Sequence, residues 1–449
     1  MPPFLFPSIF QTVLLTPNIP FDPMTPQELI LFKQKALQWA NQFEICCCMD
    51  SNGYSDPYSK YDFLLAVGAK HQLEGHSGNA FHQLKEFYGD NQEWLFGLLS
   101  YDLKNELEDL QTVHENDLDF PDLFFFVPEY LLAIKNGEIT VITGPANLPE
   151  IINNFHPLTK AHSAIPDIQP RMTRDEYLNK VELLRSHIAI GDIYEVNLCQ
   201  EFFAENAEIN PYQVYQSLST ISPTPFSGFF KLKDKYILSA SPERFLCKRK
   251  NHLFSQPIKG TARRSADHVI DQQIRLELQQ NRKEQAENVM IVDLVRNDLT
   301  KSAVKGSVKV EELFGIYTFP QVHQMISTIS CILDPSVHPV DAIKNTFPIG
   351  SMTGAPKVRA MELIEETENS RRGIYSGAFG YFDATGDFDF NVVIRSILYN
   401  QTRKHLSFQV GGAITYASSA QQEYEECLLK ASAMIQTLKG SINDPFTTN

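Results

Sequence analysis

The chain has 449 residues, 39 Lys+Arg against 54 Asp+Glu, a formal net charge of −15, and is 43% hydrophobic and 21% charged. This is the composition of a folded globular protein with one large domain or several smaller ones. The acidic balance and the lack of a basic run argue against nucleic acid and anionic membrane as partners, and no apolar run is long enough to cross a membrane.

In chain order, Met1 to Asp22 is apolar but has no Lys or Arg and is broken by five Pro, which argues against a signal peptide. Seven cysteines follow: Cys46, Cys47, Cys48, Cys199, Cys247, Cys331 and Cys427. The count is odd and no CxxC occurs, which reads as reduced, cytoplasmic usage. Phe124–Val127 and Ile139–Ile142 read as buried strands around the turn Asn136-Gly137. A loop with Pro157, Pro166 and Pro170 marks a boundary between an N-terminal region (1–150) and a second region (173–436). Thr173 and Glu176 form a capping box, and Tyr177, Val181, Leu184 and Ile188 recur at helical spacing up to Gly191. Arg244–Arg249 and His252–Gln256 flank Lys250-Asn251 as a hairpin that delivers Lys259 just past its second strand. Residues 279–294 read as a helix. Residues 377–413 read as an antiparallel meander of three strands, with Arg395 inside an apolar one. Ser419 and Gln422 predict a capping box for a last helix running to about Leu438. Meanders and helices in separate blocks give the class α+β.

Several residues along this path carry chemistry. Lys259 lies between Pro257 and Gly260-Thr261. An exposed turn lysine is the ordinary reading; a buried one would have a lowered pKa and serve as a nucleophile. Glu284 and Glu287 share one helix face, and Glu423 and Glu426 repeat the spacing, with Lys430 a turn further on. Such pairs are either solvated faces or oxygen ligands for a cation such as Mg²⁺. The loop from Phe347 to Lys357 is dense in Gly, Ser and Thr before a helix starting at Pro356, which would suit an anion. Gly411-Gly412-Ala413 ends a strand and would let a ligand approach the backbone. Arg395 needs a partner, either a structural carboxylate or a substrate one. An acidic chain that handles an anionic ligand must gather such positive charge locally.

The segments Gly191–Leu198, Ser241–Phe245, Pro257–Thr261, Ala286–Asp298 and Ser351–Glu362 occur together and in order. On these motifs the chain resembles the chorismate-utilising enzymes: anthranilate synthase component I, aminodeoxychorismate synthase component I, and the isochorismate and salicylate synthases. The resemblance covers residues 173–436 strongly and the N-terminal region more loosely.

It implies a large two-sheet antiparallel α/β sandwich to which the N-terminal region contributes. It further implies Mg²⁺ held by Glu287 and Glu426, with Glu284 and Glu423 holding its waters. Tyr375, Arg395 and the Gly411, Gly412 and Ala413 backbone match positions that hold the enolpyruvyl carboxylate. Gly260, Thr261, Ser351 and Lys430 match further substrate positions. Glu243 matches the general acid, and His323 an active-site histidine that orients or moves a proton. Lys259 and Asn197 resemble the aminodeoxychorismate branch, since anthranilate synthases typically carry Ala at 259. Glu195 stands where isochorismate and salicylate synthases have a water-activating Lys.

The implied reaction replaces the C4 hydroxyl of chorismate by ammonia, with neutral Lys259 blocking C2 covalently. No Cys sits in a glutaminase nucleophile elbow, so ammonia is expected from a separate glutamine amidotransferase subunit. Two departures stand out. Ala413 replaces the usual third glycine, where φ > 0 would be costly. Leu64-Leu65-Ala66-Val67 replaces a Leu-Leu-Glu-Ser element tied to tryptophan feedback, so feedback inhibition is not expected.

Overall fold

A computed structural model describes residues 24–156, 164–319 and 321–439. The segment Met1 to Asp22 and the boundary proline Pro157 lie outside them. Two antiparallel sheets make the body of the protein. The first runs Gly354–Ala355, Glu195–Ala204, His405–Ile414, Ser396–Asn400, Lys235–Ser241, Phe226–Leu232, Ile45–Asp50, Phe63–Val67, Tyr130–Lys135, Glu138–Thr143. The second runs Ile258–Arg263, Val322–Ile332, His252–Gln256, Arg244–Arg249, Phe388–Asn391, Ala378–Phe382, Leu95–Leu99, Leu123–Val127, His71–Gly75. Strands from residues 45–143 therefore enter both sheets.

Strand alternation builds two cores. Cys47, Leu64 and Ala66 face inward between the sheets, whereas Cys46, Cys48 and Leu65 face outward under helices that include Pro26–Ala40 and Arg174–Ala189. Phe124 of one sheet meets Phe230 of the other edge-to-face at 6.4 Å. The approach is close: a Cβ on Gly228 would come within 2.5 Å of Phe379 across the gap.

The hairpin Arg244–Arg249/His252–Gln256 and the capped helix Arg174–Ala189 form as expected from sequence. Four expectations are corrected. The strand at Phe124 belongs to the second sheet, and the turn Asn136-Gly137 instead joins two strands of the first. The helix expected over 279–294 is two helices, His268–Gln280 and Arg282–Thr300, divided at Asn281, whose side chain accepts from the backbone N–H of Lys283 and Glu284. The final helix, Ala420–Leu438, starts after Ser419 without a side-chain cap bond. The meander of 377–413 has four strands and changes sheet in its middle, so Arg395 lies not in a strand but in the crossing, at φ +50°.

That crossing has a twin. Lys235–Ser241 belongs to the first sheet and Arg244–Arg249 to the second, with Pro242-Glu243 between. The two crossings are bonded to each other. Val392 N–H donates to the Glu243 carbonyl at 3.0 Å, and Ala240 N–H to the Arg395 carbonyl at 3.1 Å. Glu243 and Arg395 are thus set side by side by backbone pairing at the corner where the chain leaves one sheet for the other. No helix among the described residues is long and apolar enough to cross a membrane.

Candidate active site

At this corner lies an open cleft, lined by both crossings, the strands Ile258–Arg263 and His405–Ile414, and the helices Arg282–Thr300 and Ala420–Leu438. It collects Glu243, Lys259, Gly260, Thr261, Glu284, Glu287, Ser351, Tyr375, Arg395, Gly411, Ala413, Glu423, Glu426 and Lys430. Residues as far apart in sequence as Asn197 and Lys430 thereby meet in one place.

Lys259 is 8% exposed, and its Nζ lies 2.7 Å from Oε1 of Glu195, itself 1% exposed. Oε2 of Glu195 has no partner. The expectation that burial makes this lysine neutral is corrected. Burial does push its pKa down, but the charges of Glu195 and Glu287, the Glu195 hydrogen bond and Glu243 outweigh it, and the net direction is up. Lys259 is an ammonium with an acceptor already in place.

Glu243 is buried, and the Ser351 hydroxyl donates to its Oε1 at 2.5 Å. Burial pushes its pKa up to about 7, against the pull of Ser351, Lys259, the Ile258 N–H and Arg395. This carboxyl can hold a proton at neutral pH. Arg395 has its pKa lowered to about 10 by burial, with Glu243 opposing. The cleft is its surrounding, which leaves the guanidinium fork for a ligand.

The four paired glutamates share one side of the cleft. Lys283 reaches between them, 3.3 Å from Glu423 Oε1 and 3.7 Å from Glu287 Oε1. Glu287 Oε1 is buried with no hydrogen-bond partner. Burial raises the pKa of Glu287 to about 7, with Glu284 and Glu195 adding to the rise against Lys259 and Lys283. Glu284 is raised by burial and by Glu426. Glu426 is lowered by Lys430, whose Nζ lies 2.8 Å from it and also donates to the Gly411 carbonyl at 2.8 Å. Among the described residues no three of these carboxylates converge as a ready ligand set. The donors are nonetheless all hard oxygens, one of them orphaned and two with pKa values raised by burial and crowding. That chemistry fits Mg²⁺.

Two expected site residues lie elsewhere. His323 does not line the cleft: Nδ1 faces the Thr318 hydroxyl at 3.0 Å and Nε2 faces Asp271 at 3.1 Å. Its strand neighbour Gln324 lines the cleft instead. Period-2 alternation turns adjacent side chains to opposite faces, so a one-residue offset exchanges inside for outside. Gly412 is also off the wall, its Cβ direction pointing at Glu423. Ala413 carries no φ penalty, because Gly411 to Ala413 are strand residues absent from the left-handed region. What Gly411 needs is room: a Cβ there would lie 2.4 Å from Asn197 Oδ1 and 2.7 Å from Cys199 Sγ. Of the Gly/Ser/Thr loop, Ser351 and Met352 reach the cleft, but the start of the helix Lys357–Thr367 does not. Lys283, Gln324 and Gln409 line the cleft without having been singled out; a lysine directly before Glu284 was the one legible sign.

The family model of chorismate binding enzymes matches residues 38–436. The chain belongs to the chorismate binding enzyme family. Within this family it is 37% identical over 348 residues to aminodeoxychorismate synthase component 1 of Salmonella typhimurium, covering 76% of each chain. It is 32% identical over 370 residues to anthranilate synthase component 1 of Thermus thermophilus, covering 79% of each. Its fold matches the crystal structure of anthranilate synthase component I from Streptococcus pneumoniae with a TM-score of 0.74 and 28% identity, over 85% of this chain and 93% of that one.

Proposed function

We propose that the cleft converts chorismate and ammonia to 4-amino-4-deoxychorismate. The observation that carries this is the buried Lys259–Glu195 pair in a cleft that also holds the raised-pKa acid Glu243. The likeness to aminodeoxychorismate synthase component 1 supports it. So does Lys259 itself, at a position where the resemblance gives anthranilate synthases an alanine.

Glu195 takes a proton from Lys259, and the freed amine bonds to C2 of the ring. The ring double bonds shift, the C4–O bond breaks, and Glu243 gives its proton to the leaving oxygen, which departs as water. Ammonia then adds at C4 and yields a proton to the Glu243 carboxylate. The C2–N bond breaks, and Lys259 recovers its proton from Glu195. Protons and electron pairs balance, and both acids return to their starting states. The lysine occupies C2 and so directs nitrogen to C4.

Arg395 and Tyr375 bind the enolpyruvyl carboxylate, with Thr261, Ser351 and the Gly411 and Ala413 backbone completing the cradle. With Glu243 protonated, four lining glutamates balance four lining cations, which leaves no net positive charge for a dianion. Mg²⁺ held by Glu287 and Glu426, with Glu284 and Glu423 around it, would supply the missing positive charge and polarise the ring carboxylate. The seven cysteines are all buried and free, and their thiols offer no glutaminase nucleophile among the described residues. The name component 1 carried by the relatives supports a second component, which in this reading is a glutamine amidotransferase subunit that supplies ammonia in the cytoplasm.

The test is a product assay with chorismate, Mg²⁺ and ammonium at alkaline pH. Material that an added lyase converts to p-aminobenzoate is expected. Fluorescent anthranilate as sole product overturns the assignment. Intact mass after quenching with chorismate alone should show an adduct on wild type and none on Lys259→Ala.

A further inference from the structure

Gln324 lies on the strand Val322–Ile332, whose faces are separately assigned by its contacts. On the odd-numbered face, His323 meets Asp271 of the helix His268–Gln280, and Ser327 donates to Asn288 of the helix Arg282–Thr300 at 2.6 Å. On the even-numbered face, Thr328 accepts from the Gln256 amide at 3.3 Å, and Gln324 lines the cleft beside its ladder partner Thr261. Gln324 is 1% exposed, and its Oε1 has no hydrogen-bond partner in the protein.

A buried carbonyl oxygen without a donor costs about 1–3 kcal/mol, so a group kept in that state at the wall of a binding cleft points to a donor that arrives with the ligand. Rotation about χ3 brings either end of the amide to the cleft. The dianionic ring acid of the proposed reaction has carboxylates and an ether, all acceptors. Its one donor is the C4 hydroxyl. Among the described residues lining the cleft there is also no histidine.

We propose that Gln324 contacts substrate directly, its Oε1 accepting the O–H of the ring hydroxyl that leaves. The hydroxyl proton is then pinned to a group that cannot take it, and the oxygen lone pairs are turned toward Glu243 for protonation. After water departs, the same Oε1 can accept an N–H of the incoming ammonia. Gln324 is neutral throughout, so acid–base work falls to Glu243 and to the Lys259–Glu195 pair. This rests on the proposed chorismate chemistry and deepens it: it names the atom that recognises the leaving group.

The experiment compares two competitive inhibitors, a chorismate-like ring diacid bearing the C4 hydroxyl and its 4-deoxy counterpart, on wild type and on Gln324→Met, which keeps length and volume. Wild type should bind the hydroxyl form about 10-fold more tightly, the worth of one such bond, and the ratio should collapse toward one in the variant. An unchanged ratio in Gln324→Met overturns the proposal. The ratio is read from binding, so it stands apart from the product assay: anthranilate as product would sink the function while leaving the contact measurable.

Gln324→His supplies a second readout that a merely structural role would not move. Lys259, Glu243, Arg395, Glu284, Glu287 and Lys283 face the same space, and an imidazole among them should add an ionisation near neutrality to the pH profile of kcat/KM. A profile superimposable on wild type overturns the proposal.

Discussion

Replacing Lys259 by methionine isolates the electrostatics of the cleft from its catalysis. Lys259→Met preserves the length of the side chain and removes its charge. Glu195, 1% exposed and with Oε2 already unpartnered, then has no cation at all. Glu243 and Glu287 lose the same ammonium, which now pulls both their pKa values down. Removing one member of a buried ion pair costs about 3–5 kcal/mol, because the other is left charged and dry. Removing both is far cheaper, so Lys259→Met/Glu195→Gln should regain most of that loss, with a coupling energy of about 0.5–3 kcal/mol. Equilibrium unfolding in urea, at pH 8 and without divalent cations, measures these two variants and Glu195→Gln alone against wild type. Acid should rescue the single variant. Glu243 and Glu287, already pushed up to about 7 by burial, lose the ammonium that pulls them down, so the folded state binds the extra protons and stability rises as pH falls. Two results would refute the reasoning: a Lys259→Met protein within about 0.5 kcal/mol of wild type, or a double variant no more stable than the single one.

Glu243→Gln should lower turnover about 10²–10⁴-fold, the usual contribution of a positioned acid, with folding intact by thermal melt. Since burial pushes Glu243 up to about 7, the wild-type rate should fall as pH rises through that value and the acid loses its proton, and this limb should vanish in the variant. Mg²⁺ at 100 times its Kd should stabilise wild type by about 2.7 kcal/mol, and Glu287→Gln should lose most of that shift. Binding at pH 7 should also release protons, because Glu287 titrates at about 7 without the ion; a pH-stat trace showing none would contradict the ligand assignment. Gly411→Ala should cost about 1–3 kcal/mol by overpacking against Asn197 and Cys199, and should weaken substrate binding by pushing Asn197 away from the Ser351 carbonyl it now donates to at 3.2 Å.

Motif-bearing segments were readable in the sequence, because local chemistry and long patterns survive without coordinates. The hairpin before Lys259, the capped helix at Thr173 and the paired glutamates are of this kind, and most of the cleft follows from them. Three things were not readable. Sheet membership depends on long-range pairing, so a run such as 377–413 reads as one meander although it leaves one sheet for the other at Arg395. Facing along a strand depends on register, and a buried strand with both faces covered has no polar alternation to set it; hence His323 and Gln324 exchange places. The charge of Lys259 depends on neighbours 64 residues upstream and 28 downstream, Glu195 and Glu287, and local sequence cannot weigh burial against them.

The interleaving of early and late strands has a consequence for synthesis on the ribosome. Ile45–Asp50 waits for Phe226–Leu232, and Leu95–Leu99 waits for Ala378–Phe382. Until those partners emerge, the nascent chain carries two open strand edges flanked by apolar residues, the template for wrong association between neighbouring chains. The cleft itself closes only when the helix Ala420–Leu438 brings Glu423, Glu426 and Lys430 to it. Catalytic competence therefore waits for this helix, which follows every described strand of both sheets along the chain.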